Sequence, residues 1–285
     1  MRLHDFNTAF TWQVPQGPYR RITQAQATQF DRDGFFVLED GLDRAQLDEV
    51  LAAIDPIEAA EEKYLREKLG GKRLIARADE ITFTTQLALR VPAVRALVTG
   101  QVFQDLCHDL IGPNARLYWD MAVYKKPDTI AQFPWHQDNG YTFVDPQQYL
   151  TCWVALSDAT LENGCPWVLP GAHKQGTLAH RATRVGLACI DEDEPAGSYP
   201  VPVKAGTIVV MSSLAPHKTG SNLSTGVRKA MVAEFIPDGA STLRRTEAGD
   251  VVRSLCNTKQ NMWVLRDGIA PTPETEASAL AAVAS

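Results

Sequence analysis

The chain has 285 residues, 45% of them hydrophobic and 22% charged, enough to build one substantial core in a single domain spanning 1–285. Its net charge of −6 offers no basic field to draw in nucleic acid or an anionic membrane, so neither is expected as a partner. The opening Met1-Arg-Leu-His-Asp-Phe-Asn lacks the apolar core of a secretory signal, and no run approaches the ~18 apolar residues of a membrane span, so a soluble, cytoplasmic protein is expected.

A helical buttress is predicted over about 20–112. Thr23 can cap a helix carrying Ala27 and Phe30, and Gly34-Phe-Phe-Val-Leu reads as a short strand. From Leu42 to Ile54, the residues Leu47, Val50, Leu51 and Ile54 recur at helical intervals. A further helical stretch runs from Pro92 through Leu110 and stops at Gly112-Pro113.

From about 113 to 240 the pattern changes to short strands rich in β-branched and aromatic residues, divided by Gly, Pro, Asn and Asp. They are Arg116 to Tyr124, Tyr149 to Leu156, Trp167 to Leu169, Gly206 to Met211 and Lys229 to Phe235, a spacing that predicts a sandwich or barrel. Between Ala179 and Val201, a polar insertion with Asp191-Glu-Asp-Glu-Pro reads as a solvated loop. An extension, 241–285, closes the chain, and its tail from Pro271 is expected to be mobile. The five cysteines, Cys107, Cys152, Cys165, Cys189 and Cys256, contain no C-x-x-C pair and read as small hydrophobes rather than disulfides or a zinc site.

The chemistry lies in two segments. In Phe133-Pro-Trp-His-Gln-Asp-Asn-Gly, an extended backbone sends His136 and Asp138 to one side, where both can touch one metal ion. Alone, an H-x-D is equally a surface histidine followed by a turn. His217, after the Ile208-Val-Val-Met strand, completes two imidazoles and one carboxylate, the donor set of a facial metal triad with open coordination positions. Arg228 opens an otherwise apolar strand, and a guanidinium facing such an interior requires an anion: a ligand carboxylate, with Thr219 adding a hydroxyl, or an internal Glu234.

Several stretches together resemble the phytanoyl-CoA dioxygenase family of 2-oxoglutarate oxygenases: Trp135-His-Gln-Asp, Trp153 in Thr-Cys-Trp-Val-Ala-Leu, Glu162-Asn-Gly-Cys-Pro-Trp-Val-Leu-Pro-Gly-Ala-His-Lys, Lys204-Ala-Gly-Thr, and Pro216-His through Arg228. With Gly34-Phe-Phe-Val-Leu they span most of residues 25 to 240. The resemblance implies a mainly β fold, a double-stranded β-helix or jelly roll with flanking helices. It implies iron(II) on His136, Asp138 and His217, 2-oxoglutarate on Arg228, and Gln137 and Trp153 close to that co-substrate. Lys125 and Lys126 are further candidates there.

The activity implied is dioxygen-dependent hydroxylation of an unactivated C–H bond in a small molecule, with 2-oxoglutarate converted to succinate and carbon dioxide. Asp138 fills the position a halide would need, which disfavours halogenation. His173 reads as a loop or pocket residue rather than a fourth ligand, and His4, His108 and His180 have no evident partner. Trp135, Tyr141, Phe143 and Trp167 are candidates for an apolar pocket, with packing between sheets as the alternative. Arg181, Arg184, Arg244 and Arg245 are too scattered to define a site for the phosphates of a CoA thioester. The rival classes are a cupin-like metalloenzyme that does not use 2-oxoglutarate, with Arg228 structural, and a non-catalytic ligand-binding protein on the same fold.

Overall fold

A computed structural model describes residues 1–271, so the tail beyond Pro271 lies outside the described residues. Thr23 caps the Gln24–Asp33 helix with a reciprocal capping box, its hydroxyl accepting from the Gln26 amide while the Gln26 side chain accepts from the Thr23 amide. Gly34 ends that helix in the left-handed conformation (φ 83°) and releases the chain into the Phe35–Leu38 strand. Asp43 caps the long Arg44–Lys68 helix in the same way as Thr23.

The buttress departs from expectation in two places. The stretch from Pro92 to Leu110 is two helices, Pro92–Val98 and Gln101–Leu110, because Gly100 adopts an extended conformation between them and caps the second. Strands also occur where only helix was expected: Lys72–Arg73, Ala76–Arg77 and Ile81–Thr85, the last a β-branched and aromatic Ile-Thr-Phe-Thr-Thr.

The core is a jelly roll of two facing antiparallel sheets. The large sheet runs Phe35–Leu38, Ile208–Ser212, Leu150–Ala155, Arg228–Pro237, Ala115–Lys125, Ile81–Thr85, Ala76–Arg77, Lys72–Arg73, with Trp263–Leu265 added beside Ala115–Lys125. The small sheet runs Tyr199–Pro200, Pro166–Val168, His217–Thr219, Phe133–His136. Alternation sorts the Arg228–Pro237 strand. Met231, Ala233 and Phe235 pack under helices carrying Val50, Ile54 and Phe103, while Ala230 and Val232 face Phe133 and Val168 of the small sheet. Covered on both faces, central strands such as Leu150–Ala155 are buried throughout and read as unbroken apolar runs.

The acidic insertion is exposed at Asp191 to Glu194, as expected, but it is tethered. Lys218 Nζ lies 2.7 Å from both the backbone carbonyl and the carboxylate of Asp193, and Trp135 Nε1 donates to the same carbonyl at 2.8 Å. Beyond the roll, Ser241–Arg245 pairs with Val251–Leu255 and with Phe143–Asp145. All five cysteines are free thiols, four buried and Cys189 partly so. No described helix is long and apolar enough to cross a membrane.

His173 ties the first helix to the roll: it is fully buried, its Nε2 lies 3.1 Å from the carbonyl of Asp31, and its ring packs edge-on against Trp12. A Cβ on Gly34 would sit 2.6 Å from His173 Nδ1. Gly34→Ala therefore meets both a positive φ and a filled site, and is expected to lose about 1–3 kcal/mol of stability in denaturant unfolding. An unchanged unfolding midpoint would refute this account of the junction.

Candidate active site

The small sheet brings the histidines together. His136 closes the Phe133–His136 strand and stands directly opposite His217 in the antiparallel pair, with ring centroids 4.1 Å apart. Gln137 remains extended (φ −111°, ψ 143°), which returns Asp138 to the His136 side before the chain turns through Asp138–Gly140. Asp138 Oδ1 lies 3.7 Å from His136 Nε2 and 3.8 Å from His217 Nε2, and one ligand atom from each of the three falls within 4.8 Å of the others.

The remaining polar atoms of this cluster are already engaged. His136 Nδ1 lies 2.8 Å from the Pro134 carbonyl and His217 Nδ1 3.0 Å from the Ala215 carbonyl, so both rings donate there and turn the Nε2 lone pairs to one point. Thr151 donates to Asp138 Oδ2 at 2.7 Å and leaves Oδ1 for a metal. Burial, reinforced by His217, holds the His136 imidazole well below its ordinary pKa, in the neutral form that ligates metal. Among the described residues this is the one His, Cys, Asp and Glu grouping with metal-holding geometry, and its two imidazoles and one carboxylate suit iron(II) with open positions.

Arg228 is fully buried, and none of its three guanidinium nitrogens has a hydrogen-bond partner among the described residues. Burial pushes its pKa down to about 10. Glu234 does not neutralise it, since the two are six positions apart on one strand, a span of about 20 Å. Trp153 flanks the guanidinium, whose carbon lies 5.4 Å from the ring centroid. Lys125, opposite Arg228 in the ladder, is also fully buried, and its Nζ donates to Thr219 Oγ1 at 3.3 Å and to backbone carbonyls of Ala131, Thr219 and Gly220. Burial, and then Arg228, push the Lys125 amine well below its ordinary pKa, and the unpaired guanidinium next to it is an arrangement that a carboxylate ligand completes.

Other expected site residues lie elsewhere. The Gln137 side chain, pointing opposite to its neighbours, is engaged by the backbone: it donates to the carbonyls of Gly176 and Leu214 and accepts from the Leu178 amide. Lys126 faces the helices and pairs with Glu58 and Glu62. Trp135 and Trp167 pack around Lys218, with ring centroids 5.5 and 5.1 Å from its Nζ, and Phe143 packs on His4 and Phe6. Of the four aromatic candidates, Tyr141 alone lines the cavity described below.

The histidines without an evident partner do have them. His180 accepts from the Gln137 amide at 2.9 Å and fills the space beside Gly140, where a Cβ would come within 2.0 Å of its ring. His108 pairs with Asp109 at 3.0 Å, and His4 accepts from the Phe6 amide. His180 thus supports the turn that carries Asp138.

A cavity of about 430 Å³ opens over His136 and Asp138, bounded by Phe83, Met121, Phe133 and the end of the Arg44–Lys68 helix. Glu234 lines it. Burial, and then the neighbouring Asp138, push the Glu234 carboxyl well above the usual carboxylate range. The signal that marked Arg228, a single charge in an apolar strand, was equally present for Glu234.

A jelly roll that brings two imidazoles and a carboxylate within ligating reach of one point, with an unpaired buried arginine in its large sheet, has the donor set of a mononuclear non-haem metal site. The family model described as phytanoyl-CoA dioxygenase matches residues 30–230, and the chain belongs to that family. A phytanoyl-CoA dioxygenase of Arabidopsis thaliana is 37% identical over 145 residues, 49% of this chain and 50% of that one, so the chain spans about half the length of this relative. A methylphosphonate hydroxylase of Gimesia maris is 28% identical over 241 residues, covering 82% of this chain and 88% of that one. Among solved structures, the non-haem alpha-ketoglutarate-dependent epimerase from nogalamycin biosynthesis superposes with a TM-score of 0.64 at 21% identity, over 88% of this chain and 97% of that chain, a likeness of fold.

Asp138→Ala is expected to abolish iron(II) binding with the circular dichroism spectrum unchanged. Thr151→Val, which removes only the hydrogen bond to Asp138, is expected to weaken it by about 10–100-fold in a metal titration. Full affinity in the valine variant would show that Thr151 does not orient the carboxylate.

Proposed function

We propose that this protein is an iron(II)- and 2-oxoglutarate-dependent dioxygenase that hydroxylates an unactivated C–H bond of a small molecule, acting as one domain in the cytoplasm. The observation that carries the reading is Arg228, whose buried guanidinium lacks any partner in a wall of the same roll that holds His136, Asp138 and His217. In this reading those three residues hold the iron, Arg228 clamps the distal carboxylate of 2-oxoglutarate with its planar fork, and Trp153 closes one side. Lys125 fixes Thr219 through its Nζ. Bound iron supplies the activation of dioxygen at the expense of 2-oxoglutarate.

The protein's own contribution is orientation and exclusion of water: the Nδ1 hydrogen bonds of both histidines set their tautomers, and the apolar cavity walls keep the reacting centre dry. Hydroxylation is the outcome shared with the Gimesia maris relative, by that protein's name. A metalloenzyme without 2-oxoglutarate leaves Arg228 unexplained, and a non-catalytic binding protein leaves the complete ligand set unexplained. The five unbridged cysteines fit a reducing compartment.

Anaerobic addition of iron(II) and then 2-oxoglutarate is expected to produce the weak visible charge-transfer band of the chelate. Arg228→Ala should keep iron binding and weaken 2-oxoglutarate by about 100-fold or more, the cost of truncating one partner of a buried charge pair. Arg228→Lys should recover little, because an ammonium does not reproduce the fork. Undiminished 2-oxoglutarate affinity in the alanine variant would make Arg228 structural and favour the metalloenzyme without 2-oxoglutarate.

A further inference from the structure

Nearly every buried charge in this fold is answered. Asp33 pairs with Arg32, Glu58 with Lys126, and Lys218 with Asp193, while Asp109 and Asp120 accept from backbone amides and Lys125 donates to carbonyls. Among the described residues, two buried charged side chains have neither a partner of opposite charge nor a backbone partner: Arg228, with its nitrogens orphaned, and Glu234, whose polar neighbour is the Tyr149 hydroxyl. The co-substrate accounts for the first. A buried carboxyl without a cation is costly to maintain, and among the described residues no cation answers Glu234.

Its position shows what it meets. Glu234 is 6% exposed, and the exposure it has is to the cavity that also reaches His136 and Asp138. In the large sheet it is opposite Thr151, the residue that holds Asp138, and opposite Trp119 on the other side. Beside it lies the buried hydroxyl of Tyr149, a second polar group at the same end with no other partner among the described residues. The walls leading there are Leu65, Leu69, Ile75, Phe83, Met121 and Phe133. Farther out the cavity carries another carboxyl without a partner, Glu61, and its one lysine or arginine, Arg73, is exposed.

We infer that the cavity admits an apolar small molecule bearing a protonated amine, and that Glu234 receives the amine next to the metal site. This rests on the dioxygenase reading for its chemistry but not for its geometry. The Glu234 carboxyl is buried on the cavity wall with no cation beside it among the described residues, so a ligand ammonium completes it as a carboxylate completes Arg228. An acyl thioester of CoA or a phosphonate brings further negative charge and leaves it unanswered. Glu234 is thus a specificity-determining residue that fixes which carbon of the bound molecule faces the iron.

The test uses n-octylamine, n-octanol, octanoate and octanoyl-CoA as probes in calorimetric titrations of the full chain. Each is run anaerobically with iron(II) and 2-oxoglutarate, and again without either, which separates binding to Glu234 from direct ligation of iron by the amine. Octylamine is expected to bind at least about tenfold tighter than octanol or octanoate in both states, as for a hydrogen bond to a charged group. Glu234→Gln should erase that preference. Octanol binding as well as octylamine, tighter binding of octanoate or octanoyl-CoA, no binding of the amine, or a preference that survives Glu234→Gln would each overturn the inference. The wild-type comparison stands even if the variant fails to fold. The chelate band, read in the same samples, reports on the dioxygenase reading alone: amine preference without the band sinks that reading and spares this one, and the converse sinks only this one.

Discussion

The antiparallel pairing of Phe133–His136 with His217–Thr219 is the contact on which the site depends. It places two imidazoles from positions eighty-one residues apart opposite each other, with centroids 4.1 Å apart, before any metal is considered. The carbonyls of Pro134 and Ala215 each accept from the Nδ1 of one ring and so fix which nitrogen of each histidine faces the site. Everything else follows the same sheet logic. Asp138 returns to the His136 side because Gln137 is extended, and Gln137 is free to be extended because its amide side chain is spent on the backbone behind it.

Much of this was legible in the chain because the rules involved are local. The spacing of His136 and Asp138, the cap at Thr23 and the β-branched runs all report on backbone geometry within a few residues. The isolation of Arg228 in an apolar strand was legible too, since a buried charge must be explained by something. Facing is what the chain alone does not show. Gln137 and Trp135 neighbour a ligand in sequence and Trp167 lies on the adjacent strand, and alternation sends all three to the opposite side of the small sheet, toward Gly176 or Lys218.

The outer part of the cavity was not readable from the chain. Leu65 and Leu69 come from a helix end, Ile75 from the turn between Lys72–Arg73 and Ala76–Arg77, and Phe83 from the Ile81–Thr85 strand, and only the assembly of the large sheet brings them over the metal ligands. The break at Gly100 was missed for a similar reason, since Pro92 to Leu110 satisfies helical periodicity on both sides of it. The partners of His180 and His173 are contacts between segments far apart in sequence, with Gly140 and Gln137 for one, and with Gly34, Trp12 and Asp31 for the other.

Arg228 and Glu234 share one face of one strand, with Ala230 and Val232 between them, while Met231, Ala233 and Phe235 press into the helical layer. A slip of one residue against either neighbouring strand would turn both charges into that layer and expose its packing residues to the small sheet. Burying Arg228 and Glu234 in that apolar layer is costly, so two polar side chains in an otherwise almost uniformly apolar strand disfavour every register that inverts its faces.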